Sequence, residues 1–301
     1  ERTKIIRMKA SPLFLYKLIG RLPLAVLYGF ASLCTFLFYY LIPYRKKVIQ
    51  GNMKKSFPTL SDKELGNLTY RFYGYLTDQL VEFFKGVSIT REDMLERFEI
   101  KNEDVVTDFI KKGIPVILVA GHQGNWEWAI HRLALSKNPH DVIYQKLNNP
   151  TFNEFTKQVR SRFGHVVLLE KRESVLLTRE RKAIPRVICL AADQAPQKPE
   201  SAYWTTFLHQ DTAFFTGMER FARDYQYPVV FAELIRKKRG KYTMTYELLA
   251  NVPLDELAPG EIIERFARRL EKSIIAYPEQ YLWSHRRWKH NKPDKLSLKW
   301  S

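Results

Sequence analysis

Short, unbroken apolar runs recur along this chain, separated by stretches whose apolar positions fall at helical spacing. The runs at 114–120 and 187–192 are continuous rather than alternating, the pattern of strands buried on both faces of a parallel sheet, and 141–146 reads as a further strand between them. The stretches between them carry helix start signals. Ser61-Asp62-Lys63-Glu64 is a capping box for a helix that runs to about Lys85 and stops at Gly86. Thr90 opens another helix, Asn102 one that ends at Gly113, Asn125 a fourth and Asn149-Pro150 a fifth. Residues 98–100 read as a short strand. Residues 229–235 and 242–249 read as two strands joined by the basic turn Lys237-Lys238-Arg239-Gly240-Lys241. A loop through Pro196 and Pro199 leads to residues 203–208 and then to a helix over 213–225, and Pro259 starts a last amphipathic helix to about Ala276. Strands alternating with helices predict an α/β fold, a mixed, largely parallel sheet flanked by helices.

The N-terminal part has a different pattern. Arg2, Lys4, Arg7, Lys9, Lys17 and Arg21 precede residues 22–44, which contain no charged residue, and Arg45-Lys46-Lys47 follows. That stretch is long enough to cross a hydrocarbon core as a helix, with tyrosines near one end suited to an interface. It is too long for a cleaved signal peptide and has no small-residue cleavage site before the basic cluster. Pro23 and Gly29 leave open a helix lying on the membrane rather than through it. The chain therefore divides into a basic, membrane-anchoring segment, 1–47, and a catalytic domain, 48–301. No linker or repeat interrupts the second part.

Composition narrows the partners. The formal net charge is +17 over 301 residues, which favours an anionic partner. No zinc-finger spacing or RNA-binding aromatic signature is present, so nucleic acid is not the expected one. An anionic bilayer on the cytoplasmic side, an acidic carrier protein or a phosphorylated substrate fits the charge. Residues 171–186 carry six Lys or Arg against two Glu, a solvated helix or a patch toward phosphate. Cys34 and Cys189 both lie in apolar runs and predict no disulfide framework.

The chemistry concentrates where the run at 114–120 ends. Gly121-His122-Gln123-Gly124-Asn125-Trp126-Glu127 places an imidazole at a strand-to-helix junction, where α/β proteins bind ligands. Residues five apart on one helix lie roughly 140° apart, so His122 and Glu127 cooperate only if the histidine sits in the turn and the glutamate on the first helical turn. Glu127 would then accept a hydrogen bond from one ring nitrogen, leaving the other as a general base. The structural alternative is a hydrogen-bonded turn histidine beside an N-terminal helix acid. No zinc spacing accompanies the pair, so no metal is expected. Asp193-Gln194 ends the run at 187–192 and emerges at the same sheet edge if the strands are parallel.

Together these motifs resemble the bacterial late lipid A acyltransferases, a branch of the lysophospholipid acyltransferase superfamily. The resemblance rests on Gly121-His122, four residues and Glu127, with Asn125-Trp126 before the acid. It extends through Gly51-Asn52-Met53-Lys54-Lys55-Ser56-Phe57-Pro58, residues 144–150, Ala192-Asp193-Gln194, residues 231–242 and the tail Tyr281-Leu282-Trp283-Ser284-His285-Arg286-Arg287-Trp288-Lys289. The glycerolipid branch typically has Asp at the place of Glu127 and a Phe-Pro-Glu-Gly-type motif where Ala192-Asp193-Gln194-Ala195 stands.

The resemblance implies transfer of a fatty acyl group from acyl carrier protein to a hydroxyl of a phosphorylated glycolipid, a lipid A precursor, at the cytoplasmic side of the bacterial inner membrane. No cofactor is implied. His122 would be the general base and Glu127 its partner, with Asn125, Lys146, Arg160, Asp193, Gln194 and Arg236 in substrate binding. The family commonly has Arg after the tyrosine that closes the strand at 141–146. This chain has Gln145-Lys146, so the oxyanion or phosphate role falls to Lys146, with Arg160 as competitor. Relatives acylate aminolipids, glycolipids or lysophospholipids with the same machinery, which leaves the acceptor open. A non-catalytic scaffold for anionic lipid and an acyl-ester hydrolase are the other classes. The hydrolase lacks a Gly-x-Ser-x-Gly elbow.

Overall fold

A computed structural model describes residues 12–296. The basic residues Arg2, Lys4, Arg7 and Lys9 lie outside the described residues. The strands are β1 (Phe98–Lys101), β2 (Val116–Ala120), β3 (His140–Tyr144), β4 (Val166–Glu170), β5 (Val187–Ala191), β6 (Tyr203–Phe207), β7 (Gln210–Phe214), β8 (Val229–Lys238) and β9 (Lys241–Ala250). The helices are α1 (Pro12–Arg21), α2 (Leu24–Phe36), α3 (Lys46–Ser56), α4 (Asp62–Lys85), α5 (Arg91–Arg97), α6 (Asp104–Lys111), α7 (Trp126–Ala134), α8 (Pro150–Arg160), α9 (Ser174–Glu180), α10 (Gly217–Tyr225) and α11 (Glu261–Ala276). One seven-stranded sheet runs in the order β1-β9-β8-β2-β5-β3-β4, and β6 with β7 forms a separate antiparallel hairpin. Within the large sheet every pair is parallel except β8 with β9. The fold is thus the mixed, largely parallel α/β sheet expected.

The continuous apolar runs are explained by burial on both faces. Val116 and Leu118 of β2 pack with Trp128 and Leu133 of α7, while Ile117 and Val119 pack with Phe72 of α4 and with Phe266 and Leu270 of α11. Helix α4 opens with the anticipated capping box. Ser61 Oγ accepts from the Glu64 N–H, and the Glu64 carboxylate accepts from the Ser61 N–H.

Three local expectations are corrected, and one strand, β4, lies where none was expected. Asn102 is not a cap: it takes φ +57 and donates from its side chain to the Tyr246 carbonyl, so α6 starts two residues later. Ala213 lies in β7 rather than in a helix, because residues 203–214 pair as a hairpin before α10 begins at Gly217. Strand β4 has only a short, half-exposed apolar run next to a charge cluster, too little for a pattern to stand out. Part of that cluster is not solvated at all. The fully buried Arg186 and the partly exposed Arg181 both pair with the buried Asp141.

The apolar N-terminal stretch breaks at Pro23, and α2 continues through a π turn, Leu37–Leu41. Leu27, Ala31 and Thr35 form its inner stripe against α4, where Thr35 and Thr77 share a hydroxyl hydrogen bond of 2.7 Å. Val26, Phe30, Leu33 and Tyr40 on the outer side are exposed. Leu24–Leu41 is long and apolar enough to cross a membrane.

A fully buried carboxylate joins this helix to the sheet. Glu82 of α4 accepts from Tyr28 Oη on α2, from Tyr242 Oη on β9 and from Asn125 Nδ2 ahead of α7, each at 2.6 Å. Its backbone carbonyl also accepts from Trp128 Nε1 at 2.8 Å. Burial pushes the Glu82 pKa up to about 7, against the opposing hydrogen bonds from Tyr242, Tyr28 and Asn125. Its folded pKa lies above the unfolded value, so its contribution is fully present below pH 4.5 and is lost as pH rises through 7. The linked loss is about 3 kcal/mol. We therefore expect the melting-temperature gap between the native protein and Glu82→Gln to narrow as pH is raised across that window. A gap that stays constant with pH would rule out this linkage.

Candidate active site

Strand register brings the site together. Strand β2 pairs in parallel with β5 so that Ala120 stands opposite Ala191, and the Ala192 N–H donates to the Ala120 carbonyl at 3.1 Å. Two residues past each aligned end come His122 and Asp193, which therefore emerge side by side. Gly121 and Gly124 let the turn carrying His122 pack tightly. A Cβ at Gly121 would meet Leu270 Cδ1 at 2.5 Å, and one at Gly124, which takes φ +58, would meet the Leu234 carbonyl oxygen at 2.6 Å. Tyr75 of α4 donates to the Gly124 carbonyl and fixes the far side of the turn.

Asp193 grips the histidine at two points. Its Oδ2 accepts from the His122 backbone N–H at 3.0 Å, and its Oδ1 lies 2.6 Å from His122 Nδ1. An ionised carboxylate only accepts, so the proton of the neutral ring sits on Nδ1 and the lone pair on Nε2. Gln194 Nε2 stands 3.3 Å from that second nitrogen and is oriented to donate to it. Trp126 presents its ring edgewise to the imidazole, with centroids 5.3 Å apart. The His122 side chain is 18 % exposed, so the site opens to solvent on one side only.

Burial disfavours the imidazolium, but the Asp193 charge and hydrogen bond, with Glu127 behind them, outweigh it and raise the His122 pKa. Burial likewise opposes charge on Asp193, and His122 overcomes it to hold the carboxyl below its usual range.

Glu127 does not take the role expected for it. It binds Arg160 bidentately, with Nε to Oε2 at 2.9 Å and the second guanidinium nitrogen to Oε1 at 2.7 Å. Burial opposes its charge, and Arg160 more than compensates, lowering its pKa. The reason is positional. Glu127 is on the first turn of α7 and meets the last turn of α8, which carries Arg160, whereas the β5 end fills the space at His122 Nδ1. Glu127 therefore acts on the imidazole through its charge rather than by a hydrogen bond.

The other expected residues divide. Asp193 and Gln194 join His122, and Arg160 lies near enough for its charge to lower the His122 pKa. Asn125 is fully buried and committed at both ends. Its Oδ1 caps α7 by accepting from the Trp128 N–H at 2.8 Å, and its Nδ2 donates to Glu82. That corrects its assignment to substrate binding. Arg236 pairs with Asp78 of α4 at 3.0 Å and lies over the Tyr75 ring, bracing β8 against α4 rather than facing His122. Lys146 is exposed two residues beyond the end of β3. Among the described residues no group of three or more His, Cys, Asp or Glu is arranged to hold a metal ion.

An imidazole of locked tautomer, beside a partly buried Arg–carboxylate pair at the carboxyl edge of an α/β sheet, has the geometry to accept a proton from a hydroxyl or amine. The chain matches the family model of the bacterial lipid A biosynthesis acyltransferases over residues 11–290, and it belongs to that family. It is an acyltransferase of the lipid A and lysophospholipid acyltransferase group. No curated protein matches it. Among solved structures it is similar to the 1-acyl-sn-glycerophosphate (LPA) acyltransferase PlsC from Thermotoga maritima. The two share 13 % identity over 85 % of this chain and 98 % of that one, with a TM-score of 0.37, too distant a likeness to carry an argument.

Replacing Asp193 tests the tautomer lock. In Asp193→Asn the anion that raises the His122 pKa is gone, so the acid limb of the pH–rate profile should move to lower pH. Turnover should also fall about a hundredfold or more as the ring loses its fixed tautomer. An unchanged limb in the folded variant would show that Asp193 does not act on the base.

Proposed function

We propose that this protein transfers a fatty acyl chain from acyl carrier protein to a hydroxyl of a lipid A precursor, at the cytoplasmic face of the bacterial inner membrane. The observation that carries the reading is His122 with Nδ1 tied to Asp193 and Nε2 left as the base, in a chain of this family. In this mechanism Nε2 takes the hydroxyl proton as the oxygen adds to the thioester carbonyl. The tetrahedral oxyanion then collapses, the C–S bond breaks, and the leaving thiolate takes the proton back from the imidazolium.

Arg160 is favoured over Lys146 for holding the oxyanion. Glu127 occupies Nε and one further guanidinium nitrogen of Arg160, which leaves N–H donors of a preoriented cation, while Lys146 points from an exposed loop. The exposed apolar side of α2 suits a bilayer, and the +17 charge suits both anionic lipid and an acidic carrier. A groove of about 800 Å³ opens beside the same helix, lined by Tyr39, Phe57, Leu60, Leu68, Tyr70 and Ile275 among others. It suits a hydrocarbon chain; His122 does not line it.

The test is acyl transfer by membrane-reconstituted protein, with an acyl carrier thioester or acyl coenzyme A as donor and a lipid A precursor as acceptor, read by mass spectrometry. His122→Ala should lose at least about a hundredfold in rate while remaining bound to vesicles. Full activity of that variant would end the base assignment. Release of free fatty acid without acylated lipid would replace transfer by hydrolysis, and equal use of coenzyme A would remove the carrier from the reading.

A further inference from the structure

The tail after α11 is built into the site. Tyr281 bridges to Gln123, next to His122. Arg45 donates to the Ser284 carbonyl, and Asn52 to the carbonyls of Trp283 and His285. On the other side, Trp288 Nε1 donates to Thr212 Oγ1 of the β6–β7 hairpin at 2.8 Å. The tail is therefore held between α3 and that hairpin.

Within this clamp lies Arg287. It is only 3 % exposed, and its Nε and both terminal nitrogens are buried without a hydrogen-bond partner. The contrast is Arg186, also fully buried, which binds Asp141 and the carbonyls of Arg181, Ile184 and Thr178. Arg186 is a staple with four of its five N–H donors used, whereas no donor of Arg287 has a well-aligned acceptor. Its guanidinium lies over the Phe214 ring, 4.6 Å from the centroid, a contact that tolerates a buried cation without satisfying its donors. The opposite charge that it acts on is Asp193, with the Tyr281 hydroxyl interacting with both groups. A cation kept out of water at this cost, whose polar interactions are with the Tyr281 hydroxyl and the Asp193 charge, is placed for its field.

We propose that Arg287 is a positioning residue for the His122–Asp193 pair, a buried positive charge behind the carboxylate that keeps Asp193 ionised and lets His122 give up its proton for catalysis. This rests on the reading of His122 as base. The charged and titratable groups around the pair are Arg287, Tyr281 and His285 from the tail, Glu127 of α7, Arg160 of α8 and Tyr75 of α4. Arg160 and Arg287 are the cations among them, and Arg160 is already neutralised by Glu127. Removing Arg287 makes the pair bind a proton more tightly, whichever member carries it. The base is then neutral only at higher pH.

The experiment is the pH profile of kcat/KM for acyl transfer by full-length Arg287→Gln and Arg287→Lys. The acid limb should move up by about one unit in Arg287→Gln and stay near its native position in Arg287→Lys, which keeps the charge. A limb unmoved in Arg287→Gln, or moved as far in Arg287→Lys, overturns the proposal. Folding is covered by a melting cycle. If the two charges compensate each other, Asp193→Asn combined with Arg287→Gln melts higher than either single variant; a double variant no more stable than the singles also overturns it. His122→Ala separates the two readings. If that variant is inactive while the limb ignores Arg287, this inference alone fails; if it is fully active, the base assignment itself fails.

Discussion

A carboxylate sealed from water must have its hydrogen bonds supplied by the protein, and Glu82 obtains them from three different parts of the chain. Tyr28 brings the apolar N-terminal helix, Tyr242 the antiparallel β8–β9 pair of the sheet, and Asn125 the start of α7. Asn125 is at the same time the cap of α7, so the helix that follows the histidine turn is oriented by a group on α4. Loss of any one partner would leave a buried lone pair unpaired, which costs more than the bond itself contributes. The apolar N-terminal helix and the candidate site are thus mechanically joined by one side chain.

The site beside that joint holds its own charges in pairs. The His122–Asp193 and Glu127–Arg160 pairs each hold opposite charges at hydrogen-bond distance, and each carboxylate stays ionised because its partner offsets the cost of burial. The division of labour differs from a simple dyad. One carboxylate sets the tautomer from the neighbouring strand, and the other orients an arginine from the next helix. Both act on one imidazole from fixed supports.

Much of this was legible in the residues. Continuous apolar runs marked the parallel strands, the capping box marked α4, and the glycines around His122 marked the turn. The partner of His122 was not, since a sequence shows neighbours along the chain and Glu127 was the nearest acid. Only the register of β2 against β5, with Ala120 opposite Ala191, makes Asp193 the group at Nδ1. Asn125 misled for a related reason. A polar residue in a motif reads as a ligand for substrate, although here its work is to cap a helix and bind a buried carboxylate. The β6–β7 hairpin and β4 were missed because short, half-exposed strands show neither clear alternation nor a long apolar run. Arg287 was visible only as one cation in a tail of aromatics and cations, since burial without a partner is a property of three dimensions.

The clamped tail also bears on how the protein is made. A growing chain acquires His122 and Asp193 well before residues 281–288 emerge, and α3, one side of the clamp, waits from near the beginning for carbonyls at Trp283, Ser284 and His285. The strands of the sheet can pair in this interval, but the site stays open on the side that the tail covers. Closure needs residues 281–288 and joins distant parts of the chain, so the site is finished well after the strands that carry it. A ribosome stalled short of Tyr281 would hold a domain with its histidine in place and that edge of the site unfinished.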